Sequence, residues 1–257
     1  FDYDKDGFQD IYIANDKYDT SNLLYKNNGD NTFTNVSEVS GTDIMIDAMS
    51  TTIDDYNNDG WLDIYITNTP LGNVLFRNNG DGTFTDVADV SGTTFDSIGW
   101  GAAFLDADND GFKDLHVVGE VLNSPNFISS AFYHNNGDGT FTIPTDSGIF
   151  NEESRSFSNA IGDSNNDGFP DIAVLNFSPS DNQLWENNTP QSNNWLKVKL
   201  QGTESNRQGI GSWIEIAVGG ELQYNYTLLG EGFLGQNSAS EFFGIGEANA
   251  IDYVKVT

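Results

Sequence analysis

The chain has 257 residues, a formal net charge of −29, no cysteine and 37% hydrophobic residues. The lack of cysteine excludes disulfides and thiolate chemistry, and the negative charge disfavours nucleic acid and anionic lipid as partners because both would be repelled. A metal cation or a cationic partner is the natural complement of such a chain, and no apolar run approaches the length of a membrane-spanning helix.

An acidic nine-residue pattern, D-x-[DN]-x-D-G-x-x-D, occurs four times in the first 190 residues. The four copies, here named acidic loops 1 to 4, span residues 2–10, 55–63, 106–114 and 163–171. They begin 53, 51 and 57 residues apart. This period is typical of β-propeller blades and not of helical solenoids.

Strand-like runs follow each acidic loop, and the second run ends in an Asn-Asn-Gly turn in the first three copies and in a degraded LWENNTP in the fourth. Each of the first three turns lies 28 residues before the next acidic loop, whereas the distance from loop to turn varies from 23 to 29. We therefore predict antiparallel blades with strands A to D, in which the acidic loops (A–B) and the C–D turns share one face.

The B–C and D–A connections would form the opposite face, where the length variation falls. An insertion at residues 120–130 is the place where we expect partner specificity, because binding residues concentrate on variable loops. Neutral variation in a solvated loop is an equal alternative. The Asn-Gly and Asp-Gly steps of the turns supply positive φ angles, so we interpret the turns as structural, with Phe33, Phe84 and Phe141 restarting the apolar face.

The acidic loops have the ligand spacing of a calcium site. Side chains at positions 1, 3, 5 and 9 can converge, the glycine at position 6 permits the bend, and position 7 can offer its carbonyl while its aromatic side chain packs between blades. Without a cation the carboxylates would raise one another's pKa. An EF-hand is excluded because position 12, where it needs a glutamate, is Ile13, Ile66, Val117 or Val174.

We therefore predict structural Ca²⁺, up to four ions with one per loop, rather than solvated turns without an ion. The predicted ligands are Asp2, Asp4, Asp6, Phe8, Asp10, Asp55, Asn57, Asp59, Trp61, Asp63, Asp106, Asp108, Asp110, Phe112, Asp114, Asp163, Asn165, Asp167, Phe169 and Asp171.

These repeats resemble the FG-GAP/VCBS family of β-propeller blades, which is related to the calcium-bearing blades of integrin α subunits. The segments SNRQGIG (205–211), Gly219–Gly220, GEGFLGQN (230–237) and FFGIG (242–246) resemble an ASPIC/UnbV domain, which follows such repeats in cartilage acidic protein and its bacterial relatives. The resemblance implies an all-β fold, with a partial propeller of four-stranded blades over residues 1–190 and a small β domain over 191–257.

Two departures from the family pattern concern the ends of the chain. Family propellers usually close with about seven blades, whereas four repeats are visible here and the first lacks its A strand. Relatives also commonly continue with a Trp-Pro-Ser-Gly-like segment beyond Thr257. We therefore expect both ends to be truncated.

For function, the resemblance implies a calcium-dependent binding or adhesion module at the cell surface or outside the cell. By analogy with integrin-type propellers, a protein or glycan partner would bind the face opposite the calcium loops. No catalytic motif such as G-x-S-x-G, H-E-x-x-H or a P-loop is present. His116 and His134 occupy positions held by other residue types in the sister repeats, so we expect packed or surface roles and no catalysis.

Two alternatives remain open. One is a carbohydrate-binding or polysaccharide-lyase-type propeller, with sugar platforms among Trp61, Trp100, Trp185, Trp195 and Trp213. The other is an accessory subunit of a bacterial outer-membrane complex. An aromatic cluster on the insertion face would favour a glycan, and an extended apolar patch there would favour a permanent protein partner.

Overall fold

The computed structural model describes residues 1–121, 128–190 and 192–257 of the chain. Four small antiparallel sheets follow one another in chain order, and each corresponds to one predicted blade. Most of the predicted insertion, residues 122–127, lies outside the described residues. The predicted all-β fold is confirmed, and the described residues add two helices of a single turn each.

The strands of each blade pair in sequence order, as predicted. Blade 1 contains β1 (Ile11–Ile13), β2 (Leu23–Asn27) and β3 (Phe33–Asn35). Blade 2 contains β4 (Thr51–Asp54), β5 (Asp63–Ile66), β6 (Val74–Asn78) and β7 (Phe84–Asp86). Blade 3 contains β8 (Ile98–Leu105), β9 (Asp114–Glu120), β10 (Ser130–Asn135) and β11 (Phe141–Thr142). Blade 4 contains β12 (Ser156–Gly162), β13 (Asp171–Asn176) and β14 (Gln183–Trp185).

Two of the blades are incomplete within the described residues. Blade 1 has strands B to D, and blade 4 has strands A to C. The short helices α1 (Ser37–Ser40) and α2 (Ala88–Ser91) follow the D strands of blades 1 and 2. Each helix ends at a glycine in the left-handed region, Gly41 or Gly92, which closes the helix and turns the chain toward the next blade.

The hydrophobic core lies between consecutive blades. One cluster joins blades 1 and 2 around Leu24 and Ile64, a second joins blades 2 and 3 around Tyr65 and Leu115, and a third joins blades 3 and 4. A blade with neighbours on both sides is therefore buried on both faces, and strand β9 of blade 3 is buried along its whole length. This face-to-face packing of small twisted sheets is the arrangement of a propeller.

The C-terminal domain consists of two further sheets. Strands β15 (Asn194–Val198) and β18 (Glu241–Gly246) form one pair, and β16 (Trp213–Val218) lies between β17 (Glu221–Tyr226) and β19 (Tyr253–Val256) in the other sheet. The domain has a small core of its own around Ile214, Ile216 and Phe243. The hairpin between β16 and β17 turns at Gly219 and Gly220, whose positive φ angles of 60° and 90° require glycine.

The C-terminal domain lies on the acidic-loop face of the blades. Its segment 230–237 reaches the A strands of blades 2 to 4, where the Gly232 N–H donates to the Thr51 carbonyl at 3.2 Å. The Ile161 N–H donates to Asn237 Oδ1 at 2.9 Å, and the Phe233 ring lies 5.1 Å from the Trp100 ring. The GEGFLGQN motif is thus the part of the domain that inserts between the inner strands.

Candidate metal sites in the acidic loops

The four acidic loops share one backbone conformation. Position 4 has a φ of 56–59° in every copy, and the glycine at position 6 has a φ of 83–97°. These two left-handed residues turn the chain back, so that the position-1 carboxylate accepts the N–H groups of positions 5 and 6. In loop 3, Asp106 accepts Asp110 N at 3.0 Å and Gly111 N at 2.9 Å, and the same pair of bonds is present in the other three loops.

The aspartate at position 9 fastens each loop to strand C of its own blade. Asp114 accepts Ala107 N at 3.1 Å and Asn135 N at 2.8 Å. Asp10, Asp63 and Asp171 accept the equivalent pairs of backbone N–H groups. All four carboxylates are buried. Position 9, predicted as a metal ligand, therefore also has a structural role in the loop.

The first asparagine of the C–D turn joins each blade to the one before it. The amide nitrogens of Asn78, Asn135 and Asn187 donate to the position-2 carbonyl of the preceding acidic loop at 2.9, 2.9 and 2.7 Å. The turn pattern predicted only a conformational role for these residues, and the bond between blades was not predicted. The signal was present, because the degraded fourth turn loses its glycine but keeps Asn187.

A second set of bonds joins the loops to each other through position 4. The Asn58 amide donates to the Gly111 carbonyl of the next loop at 2.8 Å, and the Asn109 amide donates to the Gly168 carbonyl at 3.2 Å. In loop 1 the corresponding residue is Lys5, whose Nζ lies 4.8 Å from the Trp61 ring of loop 2. The acidic loops therefore form a connected row across the four blades.

Two of the loops bring ligand atoms together closely enough to share one ion. Asp2, Asp4 and Asp10 of loop 1 have carboxylate oxygens within 4.8 Å of one another. Within the described residues, Asp4 Oδ1 is buried without a hydrogen-bond partner. A buried carboxylate oxygen that lacks a hydrogen-bond donor fits a cation, because a buried polar atom without a partner is otherwise costly.

In loop 3 the convergent group is Asp108, Asp110 and His134. His134 ends strand C of the same blade and was not predicted as a ligand. In loops 2 and 4, position 3 is an asparagine whose amide donates to the position-5 carboxylate at 3.0 Å, from Asn57 to Asp59 and from Asn165 to Asp167. The four predicted sites therefore share a backbone but differ in their charge and in their ligand atoms.

In loops 1 to 3 the aromatic residue at position 7 packs on its own blade and not between blades as expected. A Cβ atom built on Gly29, Gly80 or Gly137 would lie 2.6–3.1 Å from the ring of Phe8, Trp61 or Phe112. Each ring therefore rests on the turn glycine of its own blade, where only a residue without a side chain leaves room. The backbone N–H of position 7 donates to the position-5 carboxylate in all four loops, including Phe169.

Burial and then mutual repulsion raise the pKa values of several loop carboxylates, whereas hydrogen bonds from Lys26 and Lys197 lower those of Asp6 and Asp163. The pKa of Asp106 lies well above its ordinary value because of burial and then of the neighbouring Asp114 and Asp110. Burial likewise raises the pKa of Asp55 to about 7. A cation bound beside these carboxylates would stabilise their charged form and lower their pKa values.

Side-chain cations contact carboxylates in three of the loops, in addition to Lys5 beside the Trp61 ring of loop 2. Lys26 of strand β2 forms ion pairs with Asp4 and Asp6 in loop 1. In loop 3, His134 Nδ1 lies 3.0 Å from Asp114 Oδ1, and this hydrogen bond raises the pKa of His134 to about 9. In loop 4 the cation comes from the C-terminal domain, as Lys197 Nζ lies 2.9 Å from Asp163 Oδ2.

His116 and the five tryptophans, which the sequence offered as candidate functional residues, all pack against other parts of the protein. His116 is buried, its Nδ1 lies 3.0 Å from the Asn159 amide nitrogen, and burial lowers its pKa to about 4. Every tryptophan packs against protein. Trp61 contacts Lys5 and the turn glycine, Trp100 contacts Phe157 and Phe233, and Trp185 packs on the core between blades 3 and 4. Trp195 lies on Gly168, and Trp213 packs against Tyr224 and Tyr226.

Comparison with known proteins agrees with this architecture. The FG-GAP-like repeat family matches residues 2–66, 55–117 and 123–174, and the ASPIC and UnbV family matches residues 202–257. No curated protein matches the chain. FG-GAP repeats are typical of extracellular and cell-surface proteins, and none of the helices in the described residues is long and apolar enough to cross a bilayer. The chain therefore belongs to the FG-GAP-like repeat family and carries a C-terminal ASPIC and UnbV domain.

Proposed function

We propose that this protein is a calcium-binding interaction or adhesion module, without catalytic activity, that works at the cell surface or outside the cell. The observation that carries the proposal is the convergence of Asp2, Asp4 and Asp10, with Asp4 Oδ1 buried and without a partner among the described residues. The side chains at positions 1, 3, 5 and 9 and the carbonyl at position 7 would hold the ion, whose charge would offset the repulsion between the carboxylates.

The position of the C-terminal domain supports a partner on the opposite face. Because this domain covers the acidic-loop face, the B–C and D–A connections are left for binding. Large apolar side chains are exposed there, and Leu71 retains 80% and Met45 58% of their accessible surface. Tyr18 lies next to Thr69 on the same face and is also exposed. Exposed apolar groups on a protein with a net charge of −29 favour a protein partner with apolar and basic residues.

The surroundings of the histidines support a role without catalysis. His116 is bonded to Asn159 in the interior, and His134 is paired with Asp114. In the described part of the chain, neither histidine side chain forms a hydrogen bond with a serine or threonine. The glycan-binding alternative needs an exposed aromatic platform on the opposite face. Trp195 is 40% exposed but lies against Gly168 on the acidic-loop face, and the other four tryptophans pack against protein. The accessory-subunit alternative is compatible with the apolar groups on the opposite face.

Calorimetric titration of the chelator-stripped protein with Ca²⁺, with thermal unfolding followed in parallel, tests the proposal. We expect binding at acidic loops and a higher melting temperature, since an ion at a hundred times its Kd stabilises by about 2.7 kcal/mol per site. Asp108→Asn should weaken one site, whereas Asp138→Asn, in the exposed C–D turn of the same blade, should not. The absence of binding at millimolar Ca²⁺ would contradict the proposal.

A further inference from the structure

Loop 4 differs from the other acidic loops in the group that contacts its first carboxylate. Lys197 Nζ lies 2.9 Å from Asp163 Oδ2 and 3.4 Å from Asn166 Oδ1 of the same loop. The Asp163 side chain retains only 1% of its accessible surface. The ammonium group of the C-terminal domain is therefore held inside the loop by two oxygen atoms.

The surroundings of Lys197 fix it in this position. Its Nζ lies 5.1 Å from the Phe242 ring of strand β18, a distance at which a cation and an aromatic face attract each other. Two residues earlier, Trp195 covers the loop glycine so closely that a Cβ atom at Gly168 would overlap the indole. Strand β15 thus places both an ammonium group and an aromatic ring on loop 4.

The contact in loop 3 is of another kind. There the C-terminal domain contributes a backbone N–H, that of Gly244, which donates to Asp106 Oδ2 at 3.0 Å. This donor carries no net charge. Loop 3 also has four aspartates at the predicted ligand positions, whereas loop 4 has three and Asn165. Loop 4 therefore has the smaller negative charge, and the cation that contacts it belongs to the C-terminal domain, whereas His134 of loop 3 belongs to the same blade as its loop.

We propose that Lys197 acts as a tethered cation in loop 4, so that docking of the C-terminal domain and Ca²⁺ binding at this loop oppose each other. The inference rests on the proposed calcium function. A unit charge about 6 Å from a divalent ion changes its affinity by roughly tenfold even at the dielectric constant of water. Because coupling between two sites is reciprocal, Ca²⁺ at loop 4 loosens the contact of strand β15 by the same factor. The C-terminal domain would then respond to the calcium concentration through this single loop.

Calcium titration of the full chain and of three variants tests the inference. In Lys197→Met, one site should bind Ca²⁺ roughly tenfold more tightly than in the wild type, because the competing charge is gone. Lys197→Arg, which keeps the charge, should restore the weaker binding. Lys199→Met is the matched control, since Lys199 is an exposed lysine of the same segment, and it should bind like the wild type. Adding Asp167→Asn to Lys197→Met should remove the strengthened site and so assign it to loop 4.

Hydrogen exchange provides a second measurement that does not depend on assigning sites. In the wild type, Ca²⁺ should speed exchange in strand β15 relative to strand β5 of blade 2, and this effect should be absent in Lys197→Met. Equal Ca²⁺ affinities in the wild type and Lys197→Met, with binding intact in both, would overturn this inference alone. Absence of Ca²⁺ binding in both proteins would overturn the calcium function and the inference together.

Discussion

Blades 1 and 3 have the same sequence pattern and different surroundings. Strand B of blade 3 is buried along its length, whereas strand B of blade 1, β1, is partly exposed at each of its residues. The phenylalanine after the C–D turn is 6% exposed in blade 3, at Phe141, and 44% exposed in blade 1, at Phe33. The turn asparagine reaches the preceding loop from blade 3, and in blade 1 its amide donates to Gln9 of its own loop.

This comparison shows that the burial of a repeat depends on its neighbours. The same residues in the same local conformation bury different areas, depending on whether another blade lies on each side. In repeat proteins, interface terms between adjacent units contribute alongside the intrinsic stability of each unit. Substitutions at matched positions of the two blades can therefore measure the interface contribution directly.

The largest difference should appear at the phenylalanine after the turn. Phe141→Ala should lower the free energy of unfolding by about 3 to 4 kcal/mol, because it empties a filled core position beside Tyr56. Phe33→Ala should cost less than about 1 kcal/mol, because that ring is largely exposed. Chemical denaturation of both variants measures the two values. Equal losses would mean that the neighbouring blade contributes little to the burial of Phe141.

A smaller difference is expected at the turn asparagine. Asn135→Ala removes bonds to the Tyr56 and Lys113 carbonyls as well as the local bond from Gly137 N, and should cost about 2 kcal/mol. Asn27→Ala removes the corresponding local bonds but no bond between blades, and should cost about 1 kcal/mol or less. Denaturant unfolding curves give both numbers. A larger loss in Asn27→Ala would refute a stabilising role for the bond between blades.

The smallest effect is expected at Glu231, a carboxyl group of the C-terminal domain that is buried where this domain packs on blades 2 and 3. Burial, reinforced by Asp54 and Glu241, raises the pKa of Glu231 from its ordinary 4.5 to about 8. A raised carboxyl pKa means that the folded state binds an extra proton, so stability is full below pH 4.5 and falls as the pH rises toward 8. Glu231→Gln removes the charge and should stabilise the protein by on the order of 1 to 2 kcal/mol at pH 8, with no gain at pH 4.5.

Thermal unfolding at several pH values measures this gain. Glu247→Gln, at an exposed position of the same domain, is the control and should leave the melting temperature unchanged at each pH. A gain for Glu231→Gln that is equal at low and high pH would exclude titration as its cause. The described residues of blade 1 include no carboxyl group that the GEGFLGQN motif buries. The pH effect is therefore specific to the blades that this motif contacts.

The sequence predicted the repeated parts of the molecule well. The D-x-[DN]-x-D-G-x-x-D pattern placed the four loops, and the constant spacing to the next loop predicted the order of strands in each blade. Both succeed because they depend on local backbone requirements, such as the left-handed glycine at position 6. The prediction for the position-7 rings of loops 1 to 3 was wrong, because their packing on the turn glycine depends on how strand C returns to the loop.

The sequence by itself determined the backbone conformation of each acidic loop, because the left-handed residues at positions 4 and 6 turn the chain back wherever the pattern occurs. Only the tertiary structure decided what surrounds each loop. Lys26 reaches loop 1 from its own blade, His134 reaches loop 3 in the same way, and Lys197 reaches loop 4 from a separate domain. Electrostatic interactions depend on distances between residues far apart in the chain, and those distances are set by the packing of whole blades and of the C-terminal domain.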